Sequence, residues 1–317
     1  MFTVREATAS DAPEVKALIA EMIPGVDVAA RWRWLYETNP GGKALTWIAI
    51  EDGQVAGCTS FFPFRLQLDG EIVRAALGGD GYVRPKFRRR GLGGLLHDAS
   101  RQAMPAHRIG CMYGAPGAMN LTPLKHGGSR EVGSVARFVR PLRLRGISTA
   151  VPSRYRLDPM NPGDARIDLV WQQARKELRL ASVRDAAFYT WRFLDAPAQR
   201  EPAFVIVGPD GAIGGCSLES MNDGRELHIV DLVAVPGHWH TCLGAITAHA
   251  ARTTRAQTVS IKLFALDGRR RHMWRSGFLE RDGKPFLCMI HKDGDRRFLD
   301  PMRWFYCGAD SDLDHLD

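Results

Sequence analysis

Residues 82–96 read Tyr-Val-Arg-Pro-Lys-Phe-Arg-Arg-Arg-Gly-Leu-Gly-Gly-Leu-Leu (YVRPKFRRRGLGGLL). The residues before them, 71–83, read as a strand. It must stop at Pro85, because proline cannot donate to a central ladder. Downstream, Leu92, Leu95, Leu96, Ala99 and Ala103 recur at helical spacing, so a helix begins near Gly91. Between strand and helix lie Arg84, Lys86, Arg88, Arg89 and Arg90, followed by Gly91, Gly93 and Gly94. A helix N-terminus offers N–H groups without intrahelical acceptors and about half a positive charge. Glycines let that backbone approach a ligand closely, and arginines add charge-assisted hydrogen bonds. The combination predicts a cradle for a pyrophosphate. It is not a Walker loop, since no Gly-Lys-Ser/Thr follows. The glycine spacing also differs from a dinucleotide fingerprint.

The elements around this turn can be read outward. Residues 2–8 alternate as a strand. A helix starts at Ser10 or Asp11, with Glu14 placed for a capping box and Val15, Leu18, Ile19 and Met22 on one face. A second helix covers 27–37 and ends before Asn39-Pro40. Strands follow at 44–51, 54–67 and 71–83, joined by Asp52-Gly53 and Asp69-Gly70, which suit tight hairpin turns. After the Gly91 helix come a strand at 108–114 and a short helix at 118–126. Strand, turn, helix and neighbouring strand make a crossover unit, with its ligand at the turn.

The chain repeats itself. Trp34 and Pro40 recur as Trp191 and Pro197; Asp52, Gly53, Gly57 and Cys58 recur as Asp210, Gly211, Gly215 and Cys216. DGYVRP (80–85) parallels DLVAVP (231–236), and LKHGG (124–128) parallels WRSGF (274–278), in the same order. A duplicated domain follows, with domains at 1–140 and 166–317 and a Pro-, Gly- and Arg-rich linker at 141–165. The fold class is α/β (α+β), each half a mixed β-sheet flanked by helices.

The repeat is unequal at the anion turn. KFRRRGLGG (86–94) becomes GHWHTCLGA (237–245), so the arginines are lost and Trp239 stands where Arg88 was. The indole is expected to fill the anion site. His238, His240 and Cys242 alternate, but that spacing suits a strand better than a loop entering a helix, so no metal site is expected. The tail, MRWFYCGADSDLDHLD, is expected to be a frayed acidic terminus. The alternative is a last strand at Trp304–Tyr306 with an Asp reaching a cleft.

Composition limits the partners. A net charge of +8 suits an anionic ligand. No apolar run is long enough for a bilayer span, and the N-terminus lacks the pattern of a secretory signal. The cytoplasm is then the default address, and the six cysteines, scattered without a CxxC pair, point to reduced thiols. Cys111 reads as a core strand residue.

Val83-x-Pro85-x-x-Arg88-x-x-Gly91-x-Gly93 resembles the acetyl-CoA-binding motif of the GNAT superfamily of N-acetyltransferases. The element order and the LKHGG segment resemble it too, over about residues 2–140; the second half is similar in outline only. The resemblance implies two tandem GNAT-like domains, the C-terminal one degenerate, and an acyltransferase that moves acetyl from acetyl-CoA to an amine by direct attack in a ternary complex. It implies that Tyr82, Val83 and Arg84 meet the acyl carbonyl and pantetheine, that Arg88, Arg89, Arg90, Gly91, Leu92, Gly93 and Gly94 hold the pyrophosphate, and that Asn120 contacts pantetheine. It also implies an acid on the strand before the turn as general base, here Asp80; a core or turn role for Asp80 is the alternative. Many members carry a tyrosine four residues before the last glycine to protonate the leaving thiolate. Here Pro123 holds that position, leaving Tyr113 or His126 as substitutes. The acceptor is a small-molecule or peptide amine. No metal, nucleic acid or membrane partner is expected, and an oligomer is left open. Two other readings remain: a non-catalytic acetyl-CoA-binding sensor, and a basic nucleic-acid binder.

Overall fold

The computed structural model describes residues 1–142, 154–198 and 201–310. The first half runs β1 (Thr3–Glu6), α1 (Ala12–Met22), α2 (Val28–Arg31), a π-helical turn (Trp32–Glu37), β2 (Leu45–Glu51), β3 (Gln54–Leu68), β4 (Glu71–Val83), α3 (Leu92–Ala103), β5 (Met112–Gly114), α4 (Ala118–His126) and β6 (Arg130–Pro141). The second half runs β7 (Arg156–Pro159), α5 (Ala165–Ala174), β8 (Leu180–Ser182), α6 (Ala186–Tyr189), a π-helical turn (Thr190–Leu194), β9 (Ala203–Gly208), β10 (Gly211–Met221), β11 (Glu226–Ala234), α7 (Trp239–Thr253), β12 (Thr258–Ala265), α8 (Gly268–Arg275), β13 (Leu279–Met289) and β14 (Phe305–Cys307). Apart from β8 and β14, the order is the same twice. The fold is mixed α/β, with mixed sheet flanked by helices.

The chain forms two compact units, and neither is a continuous half. The first comprises Met1–Leu66, Val73–Val132 and Phe286–Leu299; the second comprises Gln67–Ile72, Gly133–Pro285 and Asp300–Asp317. In the first, β1, β2 and β3 pair antiparallel in sequence, β4 follows β3, and β5 joins β4 in parallel. Its outer strand is the end of β13, with Cys288 opposite Tyr113. In the second unit β7, β9, β10 and β11 are antiparallel neighbours, and β12 joins β11 in parallel. There the strand antiparallel to β12 comes from β6, with Ile261 opposite Phe138. The closing strand of each unit therefore comes from the other half of the sequence.

Local differences from the sequence reading have physical causes. The predicted helix at 27–37 is α-helical only to Arg31; Thr38 N–H then reaches the Arg33 carbonyl, an i→i+5 bond that widens the turn. Asp195 N–H to Thr190 O repeats this in the second half. The strand expected at 108–114 begins only at Met112, because Arg108 adopts φ +54° in a turn. The first capping box is Thr8 with Asp11, not Ser10 or Asp11 with Glu14; the Asp11 carboxylate accepts from Thr8 N–H at 2.7 Å. Within 141–165, Arg156–Pro159 is not linker but a strand on β9; 143–153 lie outside the described residues.

The first unit's core centres on Trp47, Phe61, Phe87, Leu92, Leu96, Met104 and Met112. Phe87, Leu92 and Leu96 come from the anion turn and the helix it starts. Their burial anchors a loop that is otherwise polar and exposed.

Candidate active site

The turn after β4 is held from several sides. Arg84 donates to the Val55 carbonyl at 2.7 Å and pairs with Glu21 at 2.9 Å. Lys86 reaches Gln54 Oε1 at 2.5 Å. Arg90 forks onto both Glu51 oxygens at 2.6 and 2.5 Å and lies 4.5 Å over the Phe2 ring. The hydrogen bond to Glu51 raises Arg90 above its ordinary value, and Arg90 lowers Glu51 in return. Three of the five cations are thus occupied in fixing the loop.

Arg88 and Arg89 are different. Both are exposed, and among the described residues neither has a carboxylate partner. Arg88 Nε donates to the Val83 carbonyl at 2.8 Å and its guanidinium lies 5.5 Å from the Tyr82 ring centre. That leaves its terminal nitrogens for an anion. Arg89 sits at φ +62°.

Gly91 caps α3 at φ +75° with no side-chain cap. A β-carbon there would be strained. Gly93 and Gly94 follow inside the first turn, and a β-carbon on either would meet nothing within 4 Å. Two interior glycines each cost about 1 kcal/mol of helix propensity against alanine. Nothing in the protein's own packing requires them. They keep the space above the helix N-terminus empty.

The backbone beside this cradle is open. β4 and β5 pair at Ala76 opposite Met112, with Ala76 N–H on the Cys111 carbonyl at 3.0 Å. β5 ends at Gly114, while β4 continues to Val83. Arg84 N–H binds the Ala56 carbonyl on β3 at 3.0 Å, so by strand alternation Val83 N–H faces away from β3, toward the gap β5 leaves. Asn120 lies exposed on the first turn of α4, its N–H on the Gly117 carbonyl.

Asp80 must be reassigned. Arg31 donates to its two oxygens at 2.6 and 2.7 Å, and Tyr36 O–H donates to it at 2.5 Å. Burial, then the Asp80 charge, pushes the Tyr36 phenol well above its ordinary value. The second unit repeats the cluster. Arg184 Nε meets Asp231 at 2.9 Å and Tyr189 O–H meets it at 2.6 Å. A carboxylate committed to a buried guanidinium and a phenol holds the fold together and is not a proton acceptor for an incoming amine. Tyr113 is reassigned too: it is buried, its ring 6.3 Å from Phe64 and 6.4 Å from Phe286, a core residue rather than an acid for a leaving thiolate.

The sequence reading missed Arg31 and Tyr36. The only signal was an Arg and a Tyr five residues apart ahead of the hairpins in each half, Arg31 with Tyr36 and Arg184 with Tyr189, and the Trp34–Trp191 register does not align them. It also missed Glu21 and Glu51, which take Arg84 and Arg90 out of the anion cradle.

The equivalent turn of the second unit lacks this equipment. Trp239 is buried, packed edge-on to Phe305 at 5.8 Å with Arg269 over its ring, so the indole enters the core and does not fill a loop site. His240 bonds Ser276 at 2.8 Å, His238 bonds the Pro236 carbonyl, and Cys242 is buried. The tail expectation changes as well. Phe305–Cys307 is a strand on β12, and Asp310 is buried on Arg184 at 2.6 Å. Asp312, Asp314 and Asp317 lie outside the described residues.

Residues 3–122 match the family model described as the acetyltransferase (GNAT) domain. No curated protein matches the chain. Among solved structures, a GCN5-related N-acetyltransferase from Anabaena variabilis aligns with TM-score 0.70 at 18% identity, over 92% of this chain and 73% of its own. A probable N-acyltransferase of unknown function from Enterococcus faecalis aligns with TM-score 0.71 at 13% identity, over 92% and 73%. Eis1 from Mycobacterium abscessus aligns with TM-score 0.61 at 14% identity, over 92% and 73%. These likenesses establish a shared fold over both halves of the chain. The matched segment contains β1 to β5, the anion turn and the start of α4. Over residues 3–122, which hold the anion turn, the chain is similar to the acetyltransferase (GNAT) domain.

Proposed function

We propose that this protein transfers an acetyl group from acetyl-CoA to an amine. One juxtaposition carries the reading: the unpaired edge of β4 at Val83 leads directly into a helix N-terminus with open glycines and two arginines without carboxylate partners. Arg88, Arg89 and the N–H groups of Leu92, Gly93 and Gly94 would take the pyrophosphate. Val83 N–H would polarise the thioester carbonyl and hold the oxyanion after attack. The amine nitrogen forms a bond to the carbonyl carbon, the C–S bond breaks, and the thiolate takes up a proton from solvent. With Asp80 engaged, the amine enters as its free base or loses its proton to water.

The domains at 1–140 and 166–317 belong to this reading as one CoA-binding half and one that has lost the cradle. So does a cytoplasmic location, supported by six free, buried cysteines. A second reading has a specific observation behind it. Since Asp80 and Tyr113 are both structural, the domain could hold acetyl-CoA without turning it over. Thiol release from acetyl-CoA over a panel of amines separates the two. Release with an acceptor supports transfer. Coenzyme A binding without release supports the sensor. Absence of both refutes the site.

A further inference from the structure

The second unit presents a surface that acetyl transfer does not explain. It is built on α8 and its two flanks. Met273 points into the core, Arg269 lies over the Trp239 and Phe305 rings, and Arg270 pairs with Glu280. The outward face is Arg271, Trp274 and Arg275, at i, i+3 and i+4. Trp274 is 54% exposed. Leu266, just before the helix, is 37% exposed, and Leu279, just after it, is 52% exposed. The chain turns back at Gly277, φ +77°, with Phe278 N–H on the Met273 carbonyl at 3.0 Å, and β13 then begins at Leu279. Arg281 and Lys284 on β13 are exposed as well, on opposite faces of the strand.

The charges here are unbalanced. Among the described residues Arg271, Arg275, Arg281 and Lys284 have no carboxylate partner, while the nearby acids Asp267 and Glu280 are taken by Arg269 and Arg270. The exposed acids near these cations are Asp282 and Glu177, the latter acting on Arg269 and His272.

We propose that this face docks the protein on an anionic lipid surface. An exposed indole between two guanidinium groups without carboxylate partners on one helix face, with an exposed leucine just before and just after the helix, matches what a bilayer interface selects: the ring at headgroup depth and the guanidinium groups on phosphate. Insertion is shallow, since no helix among the described residues is long and apolar enough to cross a membrane. A single-stranded nucleic acid fits less well, because stacking needs successive aromatic rings and leucine supplies none. A two-fold contact with a second copy through this helix face would set Arg271 and Arg275 against their own copies.

Sedimentation of the full-length protein with vesicles tests this, comparing phosphatidylcholine alone with a phosphatidylcholine–phosphatidylglycerol mixture. Binding is expected only to the mixture, and to fall with salt. Arg271→Gln/Arg275→Gln should weaken partitioning about 30-fold, from two charges at roughly 1 kcal/mol each. Trp274→Ala should weaken it while leaving the melting curve unchanged. The proposal is overturned if the mixed vesicles do not bind at low salt or if the variants bind as wild type does. It is equally overturned if these substitutions abolish binding of a short single-stranded RNA or break a dimer while vesicles are never bound.

Discussion

The guanidinium of Arg31 spans both oxygens of Asp80 at 2.6 and 2.7 Å, with each side chain only 3% exposed, and Arg184 with Asp231 repeats the pair in the second unit. Arg31 ends α2 and pairs with β4, while Arg184 lies in the loop before α6 and pairs with β11. Removing one member takes from the other its buried ion pair.

Asp80→Ala should therefore destabilise the protein by about 3–5 kcal/mol. Arg31→Met/Asp80→Leu should recover much of that loss, since no charge is then left buried. Urea midpoints on the three proteins decide it. An Asp80→Ala variant as stable as wild type that loses only turnover would restore Asp80 as a catalytic base.

The cations of the anion turn should separate by function. Arg88→Ala and Arg89→Ala should each weaken coenzyme A binding by about 1.5–3 kcal/mol, the range for a charge-assisted hydrogen bond. Arg90→Ala should weaken it less, because its guanidinium already serves Glu51. Calorimetric titration with coenzyme A gives the order. Equal losses at all three would mean that Arg90 leaves Glu51 when ligand arrives.

Gly93→Ala and Gly94→Ala should move stability and binding in opposite directions. Each should raise helix stability by up to about 1 kcal/mol, since the added methyl meets nothing in the protein. Each should also weaken coenzyme A binding by intruding on the ligand's space. Melting temperature and dissociation constant measured on the same preparation report both effects. A variant that is more stable and binds undiminished would place the pyrophosphate elsewhere.

The second unit should weaken on mild acidification. His228 is buried on β11, its Nδ1 bonded to Ser260 Oγ at 2.8 Å, and Ser260 O–H donates to Glu226. Burial, with Lys262 adding to it, lowers His228 to about 4. Between that value and the ordinary pKa near 6.5, the unfolded chain binds a proton that the folded chain refuses. Stability thus falls as pH drops from about 6.5 to about 4, by up to about 3 kcal/mol. His228→Gln should flatten that part of the curve. Urea midpoints taken every half pH unit would show it, and an unchanged slope in the variant would assign the loss to other groups.

The sequence by itself determined the parts that depend on neighbours along the chain. The strand ending at Pro85, the left-handed Gly91 and the helix stripe from Leu92 are local consequences of proline, glycine and 3.6-residue spacing. They suffice to place a helix N-terminus after a strand. The recurring order of elements was legible for the same reason, because matching turns keep matching residues. What only the tertiary structure decided is which partner each charge meets. Glu51 and Glu21 lie far from Arg90 and Arg84 in sequence, and nothing in spacing says that they neutralise these two and leave Arg88 and Arg89. Asp80 looked like a base because its strand faces the ligand turn. Folding brings Arg31 and Tyr36 onto it, and burial makes that pairing obligatory. That β6 pairs with β12 and the end of β13 with β5 was equally invisible. Strand pairing is a contact between distant segments, and an alternating pattern fits either neighbour until the rest of the sheet is in place.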